Sequence, residues 1–457
     1  MIKKTLLFIA IVFLFTSCCE VVKENEETLI QKLEVSDNGR FLQLEDGSPF
    51  FWLGDTGWLL FTRLNREEAE TYFDDRVAKG FNVIQVSAVH MIDAENIYGD
   101  SALINKSLGA PLVKDGHYGY WEHVDYLVDL AEEKGLYMAL VAVWGNNVRG
   151  GYVSYSEAET YANFLVKRYG HKKNVIWMNG GDTFGNDSTA TWNIIGKTLK
   201  EKSENQLVTY HPRGRHSSSD WFHNESWLDF NQVQSGHRRY DQDDTERGYG
   251  QDNWRYIEDD YKINPVKPTI DAEPSYEGIP QGLHDVNEVF WDHNDVRRYA
   301  YWSVFAGAFG YTYGHSAIMQ FHLHDGREPA YGAKEYWDVA LNSTGSQQMK
   351  HLKNLMLSKS YFDRVPAQEI IVENGKKYDY KVATKGSDYA FVYSYKGGII
   401  KVDLSKLGFN KVGAEWYNPR VGTYYDIDTF EANGIKVFEA PGIEEDGNDW
   451  VLILNKK

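Results

Sequence analysis

Cysteine is almost missing from this sequence. The 457 residues include two, Cys18 and Cys19, adjacent and near the start. The chain after them therefore holds neither a disulfide nor a thiolate metal site. Positive charge is scarce as well: 48 Lys and Arg stand against 66 Asp and Glu, a formal net charge of −18. With no basic surface to neutralise phosphates, nucleic acid is not expected as a partner. No Gly-rich phosphate loop opens the first helix, no G-x-S-x-G elbow offers a serine nucleophile, and no internal repeat is visible. The paired histidines of HPRGRH (His211, His216) and HLHDG (His322, His324) lack helical ligand spacing and a third partner. No metal or other cofactor is expected.

The one strongly apolar run, TLLFIAIVFLF at 5–15, is shorter than the ~20 residues that cross a bilayer. Lys3 and Lys4 precede it and FTSCC ends it, as in a signal peptide. A small residue before Cys18 follows the bacterial lipoprotein pattern, with Cys18 as the lipidated N-terminus, although Phe15 replaces the usual aliphatic residue. An ordinary secretory signal is the alternative. Both export the protein, to the outer membrane or cell surface by a lipid anchor alone, or to the periplasm. Residues 1–18 are expected to be the signal and 19–34 a short acidic tether.

What the chain does have is apolar and aromatic substance. Hydrophobic residues make up 42%, enough for a sizeable core, and the length suits one large domain plus a smaller one. From about residue 50 to 358, short apolar runs alternate with amphipathic segments. Examples are NVIWMN followed by TATWNIIGKTLKEKS and LYMALVAVW followed by SEAETYANFLVKRYG. The strands lack clean alternation, as expected when both faces are buried. Eight such pairs predict a (β/α)8 TIM barrel over 35–362, with a doubly wound open sheet as the alternative. The fifth and sixth helices carry the weakest signals. After about Arg364 the pattern becomes short alternating runs between Gly, Asn and Asp turns, which predicts a β-sandwich over 363–457. Packing against the barrel is its expected role, ahead of carbohydrate contact.

In such a barrel, chemistry gathers at the carboxyl ends of the strands. Those positions hold Asp55, His90, Trp144, Asn179 to Asp182, His211, Gln234 to His237, Glu273 and Tyr313 to His315. Asp182 follows the fourth strand in NVIWMNGGDTFG, and Glu273 closes the seventh in PTIDAEPSYEG. Glycosidic cleavage needs one acid to protonate the leaving oxygen and one carboxylate to attack or to activate water. Asp182 is therefore expected to be the acid/base and Glu273 the nucleophile of a retaining mechanism. Carboxyl groups ~5–5.5 Å apart would mean retention and roughly 6.5–9.5 Å inversion. Gly180 and Gly181 are expected to bend the backbone and leave room for a sugar ring. Asp271 is expected to point away from Glu273 as a buried, supporting group, and Asp187 is a weaker substitute for Asp182. Expected substrate contacts are Asp55, Trp58, His90, Trp144, Asn179, His211, Gln234, Tyr313 and His315, with His211, Gln234 or Tyr313 holding Glu273 ionised.

FFWLGDTGW ending at Trp58, GGD at Gly180–Asp182, DAEPSYEG at Asp271–Gly278 and GYTYGHSAIMQF at Gly310–Phe321 together resemble the apiosidase-like glycoside hydrolases of gut Bacteroidetes. The resemblance covers about residues 35–457. It implies a (β/α)8 barrel with an Asp acid after strand four and a Glu nucleophile after strand seven, which match Asp182 and Glu273. It also implies a pectic substrate from which apiose is removed at a galacturonic acid linkage. The wider barrel clan usually has Asn-Glu at the end of strand four, where this chain has the narrower family's Asn-Gly-Gly-Asp. The family's C-terminal domain bears a collagen-binding label that is not carried over as a function. A non-catalytic surface glycan-binding protein and a matrix adhesin are the rival readings.

Overall fold

The computed structural model describes residues 30–457 except 115 and 205. The expected signal, Cys18 and most of the tether lie outside the described residues. Three short antiparallel strands (Leu33–Val35, Leu42–Leu44, Pro49–Phe50) lead into the barrel. They pack at the amino-terminal end of its strands, where the Phe50 ring meets that of Tyr137 edge-on at 5.1 Å.

Eight parallel strands follow: β1 (Trp52–Thr56), β2 (Val83–Ser87), β3 (Tyr137–Val141), β4 (Val175–Thr183), β5 (Val208–Pro212), β6 (Asn231–Gln234), β7 (Thr269–Asp271) and β8 (Gly310–Tyr313). Their order is β5-β4-β3-β2-β1-β8-β7-β6, with a two-residue strand, His216–Ser217, antiparallel to β6. The remaining seam between β5 and β6 has no regular ladder. It is stitched by Asp229 N donating to Val208 O (2.8 Å) and Thr209 Oγ1 to Phe230 O (2.7 Å). The sheet is thus nearly closed, as a TIM barrel requires.

Helices α1 (Arg66–Ala78), α2 (Tyr120–Glu133), α3 (Tyr155–Tyr169), α4 (Thr189–Lys202), α5 (Ser219–Phe222), α6 (Asn253–Tyr261), α7 (His293–Phe305) and α8 (Thr344–Leu357) follow the strands in turn. Their starts are set by local chemistry. Asn65 and Glu68, Ser154 and Glu157, and Asp292 and Asp295 form reciprocal capping boxes. The two helices with weak sequence signals are the short ones: α5 has 4 residues and α6 has 9.

Strand alternation sorts the side chains. Inside the barrel, Trp52 Nε1 donates to Thr312 Oγ1 on the neighbouring strand (3.0 Å), and Gln85 Nε2 reaches across to Ala272 O (2.9 Å). Residues of the opposite parity face the helices, as Tyr311 does in donating from its hydroxyl to Val296 O on α7 (3.1 Å).

The C-terminal domain holds β9 (Lys381–Lys385), β10 (Tyr389–Ser394), β11 (Ile399–Asp403), β12 (Lys411–Asn418), β13 (Thr423–Glu431), β14 (Ile435–Glu439) and β15 (Trp450–Lys456). Val365–Pro366, β9, β10, β15, β12 and β13 form one antiparallel sheet, and β11 pairs with β14. This domain packs on α7. Tyr301 stacks on Tyr393 with centroids 4.8 Å apart, and Phe305 lies 5.9 Å from Phe391. One turn earlier on α7 sits a buried two-pronged ion pair. Arg297 Nε is 2.7 Å from Asp449 Oδ2, and Nη2 donates to Oδ1 at 2.8 Å. Large side chains buried on this face each contribute about 1.5–3 kcal/mol.

Candidate active site

Loops at the carboxyl ends of the strands surround a pocket of about 460 Å³, a size that suits a small ligand. Asp182 and Glu273 both line it.

β4 does not stop before the two glycines; it runs on to Thr183, and its register with β5 slips between Gly180 and Thr183. Gly180, Gly181 and Asp182 have φ of 84°, 108° and 52°, so three successive residues are left-handed. A Cβ on Gly180 would lie 2.5 Å from His211 O, and one on Gly181 would lie 2.9 Å from Gly145 N and 3.0 Å from the Trp144 ring. The glycines are therefore required by a bulge and by close protein neighbours. This corrects the expectation that they leave room for sugar, because Tyr210 and Trp144 fill that room. The bulge turns Asp182 into the pocket in a conformation that costs a residue with a Cβ roughly 1–2 kcal/mol.

Asp182 remains partly exposed, at 32% of its side chain, and its Oδ2 accepts a hydrogen bond from Arg213 Nη1 at 3.1 Å. Burial raises its carboxyl above the ordinary value, Arg213 opposes this, and the Glu273 charge adds to it. Such a group is suited to hold a proton.

Glu273 has the opposite environment. It is buried, with His237 Nε2 donating to Oε1 at 3.1 Å and His211 Nε2 2.8 Å from Oε2. The second contact is short but poorly aligned, since neither atom has an in-line hydrogen-bond partner. It acts as a close polar contact more than a directed bond. Burial alone would raise this carboxyl, but the two histidines outweigh it and hold the group well below the usual carboxylate range. The backbone N–H of Asp182 points at His211 Nδ1 (3.4 Å), which places the ring proton on Nε2, toward Glu273. One imidazole thus spans the loops of both acids.

A break in pairing also positions Glu273. Ala272 N (2.9 Å) and Glu273 N (3.3 Å) both donate to Val233 O. In a regular strand, residues 271 and 273 would share a face, so alternation is not the reason they diverge. The doubled donor turns Glu273 into the pocket. Asp271 stays on the helix side, accepting from Ser235 Oγ (2.6 Å) and Asn253 Nδ2 (2.9 Å), with burial pushing its carboxyl up to about 6.

Aromatic side chains wall the pocket. Trp58 lies 5.0 Å from Trp144 and 5.1 Å from His211, and its Nε1 donates to Tyr276 Oη (3.3 Å). His90 lies tilted against Trp144 with ring centres 4.8 Å apart, and burial pushes its imidazole down to about 4. Of the expected contacts, Trp58, His90, Trp144 and Gln234 line the pocket, while His211 lies behind Glu273.

Asp55, Asn179, Tyr313 and His315 are not brought into the pocket. Asp55 is fully buried on the helix side, 2.6 Å from Arg76 Nε and bonded by the Tyr72 hydroxyl (2.6 Å). Asn179 Nδ2 donates to Trp192 O on α4 (2.6 Å). Tyr313 pairs in register with Asp55 and donates to Glu277 Oε2 (2.6 Å). His315 Nδ1 accepts from Ala317 N (3.1 Å) and faces a neighbouring cavity. Asp187 takes only the Thr183 hydroxyl (3.2 Å). Arg213, Tyr276 and Tyr331 were not foreseen in the sequence, yet they line the pocket. Arg213 lies inside HPRGRH, a motif read only for its histidines, and Tyr331 sits 18 residues past β8, beyond any strand-end rule.

Among the described residues no group of three or more His, Cys, Asp or Glu is arranged to hold a metal ion. Residues 36–363 match the family model "Apiosidase-like, catalytic domain", and residues 365–455 match "Putative collagen-binding domain of a collagenase". A solved structure described as "Glycoside hydrolase" is 47% identical, with a TM-score of 0.90, over 93% of this chain and 97% of its own. A glycoside hydrolase family 5 structure from Bacteroides vulgatus is 44% identical, with a TM-score of 0.90, over 93% of each chain. A family 5 mannosidase from Rhizomucor miehei shares the fold at 12% identity and TM-score 0.51, over 72% of this chain and 99% of its own. No curated protein matches significantly. A barrel whose mouth gathers an aspartate and a glutamate, matched over most of its length by these models and structures, places the chain in the apiosidase-like family: it is a glycoside hydrolase.

Proposed function

We propose that this glycosidase is exported, lipid-anchored through Cys18, and cleaves an acidic plant cell-wall polysaccharide of the pectin type, with apiosyl linkages as the first candidates. The supporting observation is the pairing of environments in one pocket. Glu273 is held ionised by His211 and His237, while burial raises Asp182. That division is what acid-assisted cleavage of a glycosidic bond needs, and the course proposed here is the retaining one. Asp182 gives its proton to the glycosidic oxygen as Glu273 attacks the anomeric carbon, and the leaving alcohol departs. Asp182 then takes a proton from water, which displaces Glu273 and releases the sugar with its original anomeric configuration.

The acidic substrate is supported by the pocket's cations, since Arg149, Arg213, Arg215 and Arg238 all line it. Arg215 and Arg238 are engaged by Asp243 and Asp244. Among the described residues Arg213 pairs with Asp182 alone, and Arg149 bonds to the neutral Asn146 (2.8 Å). These two guanidinium groups are the candidates to meet a uronate.

The test is sugar release from size-defined pectic fragments, with product configuration followed by proton NMR. Glu273→Gln is expected to lower kcat by about four orders of magnitude or more while the fold persists. Turnover by Glu273→Gln at the wild-type rate would remove the nucleophile assignment, and an inverted product would remove the retaining one.

A further inference from the structure

The long loop after β8 forms one side of the catalytic pocket, through Met319, Gln320, Ala330 and Tyr331. A second cavity, about 770 Å³, begins there, and the two share His284 and Tyr331 in their walls. Tyr331 stands at the junction. Burial and, after it, the charges of Asp182 and Glu273 push its hydroxyl up, so it lies within electrostatic reach of both acids. Its backbone is left-handed, with φ of 55°, a conformation that costs a tyrosine of order 1 kcal/mol and that the surrounding loop imposes. Beyond it the basin is walled by His322, Arg327 and Tyr336, with His284 at the near side. Tyr331 and Tyr336 each remain 38% exposed. The Tyr336 ring is braced by His324 at 3.6 Å and by His322 at 4.7 Å.

We infer that this basin is a distal sugar site, in which a pyranose further along the bound glycan stacks on the exposed tyrosines while its reacting linkage lies between Asp182 and Glu273. An amphipathic ring held at the wall of a wet cavity offers an apolar face to a pyranose C–H surface and leaves hydroxyls to water and nearby imidazoles. The two cavities adjoin at His284 and Tyr331, so a chain running past these two residues would reach from one into the other. The substrate is then an extended glycan, and part of its affinity comes from sugars remote from the bond that breaks. This rests on the glycosidase reading and is independent of the pectic one.

The test measures binding to the full-length Glu273→Gln protein by calorimetry. The probes are two size-fractionated ladders, acidic oligogalacturonides and neutral manno-oligosaccharides, from disaccharide to octasaccharide. In at least one ladder the longer members should bind about tenfold more tightly than the disaccharide. Adding Tyr336→Ala should cancel that gain and leave disaccharide affinity unchanged. Affinity independent of length, equal weakening of short and long members by Tyr336→Ala, or no binding from either ladder would each overturn the distal site. A length gain seen only with the neutral ladder keeps the distal site and rejects the pectic substrate.

Discussion

Replacing Gly181 by alanine tests whether the bulge in β4 sets the position of the acid. Two costs follow from the geometry. The backbone has φ of 108°, and placing a Cβ on a left-handed residue costs roughly 1–2 kcal/mol. The new methyl would also lie 2.9 Å from Gly145 N and 3.0 Å from the Trp144 ring, too close for either to stay in place. Forced shifts in a packed site cost about 1–3 kcal/mol, so the total loss should be ~2–5 kcal/mol. Gly135→Ala is the control. It has φ of 76° with nothing within 4 Å of its Cβ, so only the backbone cost applies. The difference between the two in urea unfolding isolates the contact with Trp144 and Gly145. Function should respond separately, because Asp182 is the next residue. A displacement of the order of 1 Å is enough to lower kcat about a hundredfold, and Gly135→Ala should leave kcat unchanged. If Gly181→Ala matches Gly135→Ala in stability and wild type in turnover, the bulge is not what aims the acid.

Three further perturbations follow from the site and the domain contact. His237→Gln removes a group that holds Glu273 low, so its carboxyl rises and the acid limb of the kcat/KM profile should move to higher pH; a lower kcat with an unmoved limb contradicts this. Arg213→Gln removes the cation that opposes the rise of Asp182. The acid should then keep its proton to higher pH and carry the alkaline limb upward, and a downward move would refute the role given to Arg213. Asp449→Asn strands the Arg297 charge at the domain contact, a loss of roughly 3–5 kcal/mol in denaturant unfolding, nearer the lower figure because Gln348 and Asn294 still bond to Arg297. A loss below about 1 kcal/mol would mean the pair does not secure the contact.

The barrel was legible because its strands are short apolar runs followed by amphipathic helices, and because barrel chemistry follows strand ends. That rule named Asp182, Glu273, His90, Trp144 and Gln234, and all five line the pocket. It overreached at Asp55, Asn179 and Tyr313 for one physical reason: a strand end has two faces, and these three side chains point at the helices. The parity was readable in principle, since Tyr313 shares a face with Tyr311 and is paired in register with Asp55. Parity failed at β7, where the doubled donation to Val233 redirects Glu273, and no residue type announces such a break. Arg213 directly follows β5, within reach of the strand-end rule, and was passed over because HPRGRH was read for its histidines; Tyr331 comes from a loop whose course depends on tertiary packing, beyond the reach of periodicity.

The tight seating of the C-terminal sheet on α7 bears on the label its family model carries. Phe391 and Tyr393 spend their rings on Phe305 and Tyr301, so that face is not available to a protein ligand in the intact chain. Cut loose, the same segment would present bare aromatics and an orphaned Asp449, a surface prone to adhere to matrix proteins in general. Adhesion by an isolated 365–457 fragment would therefore report the severed joint, and only the uncut protein can show whether this module recognises anything of its own.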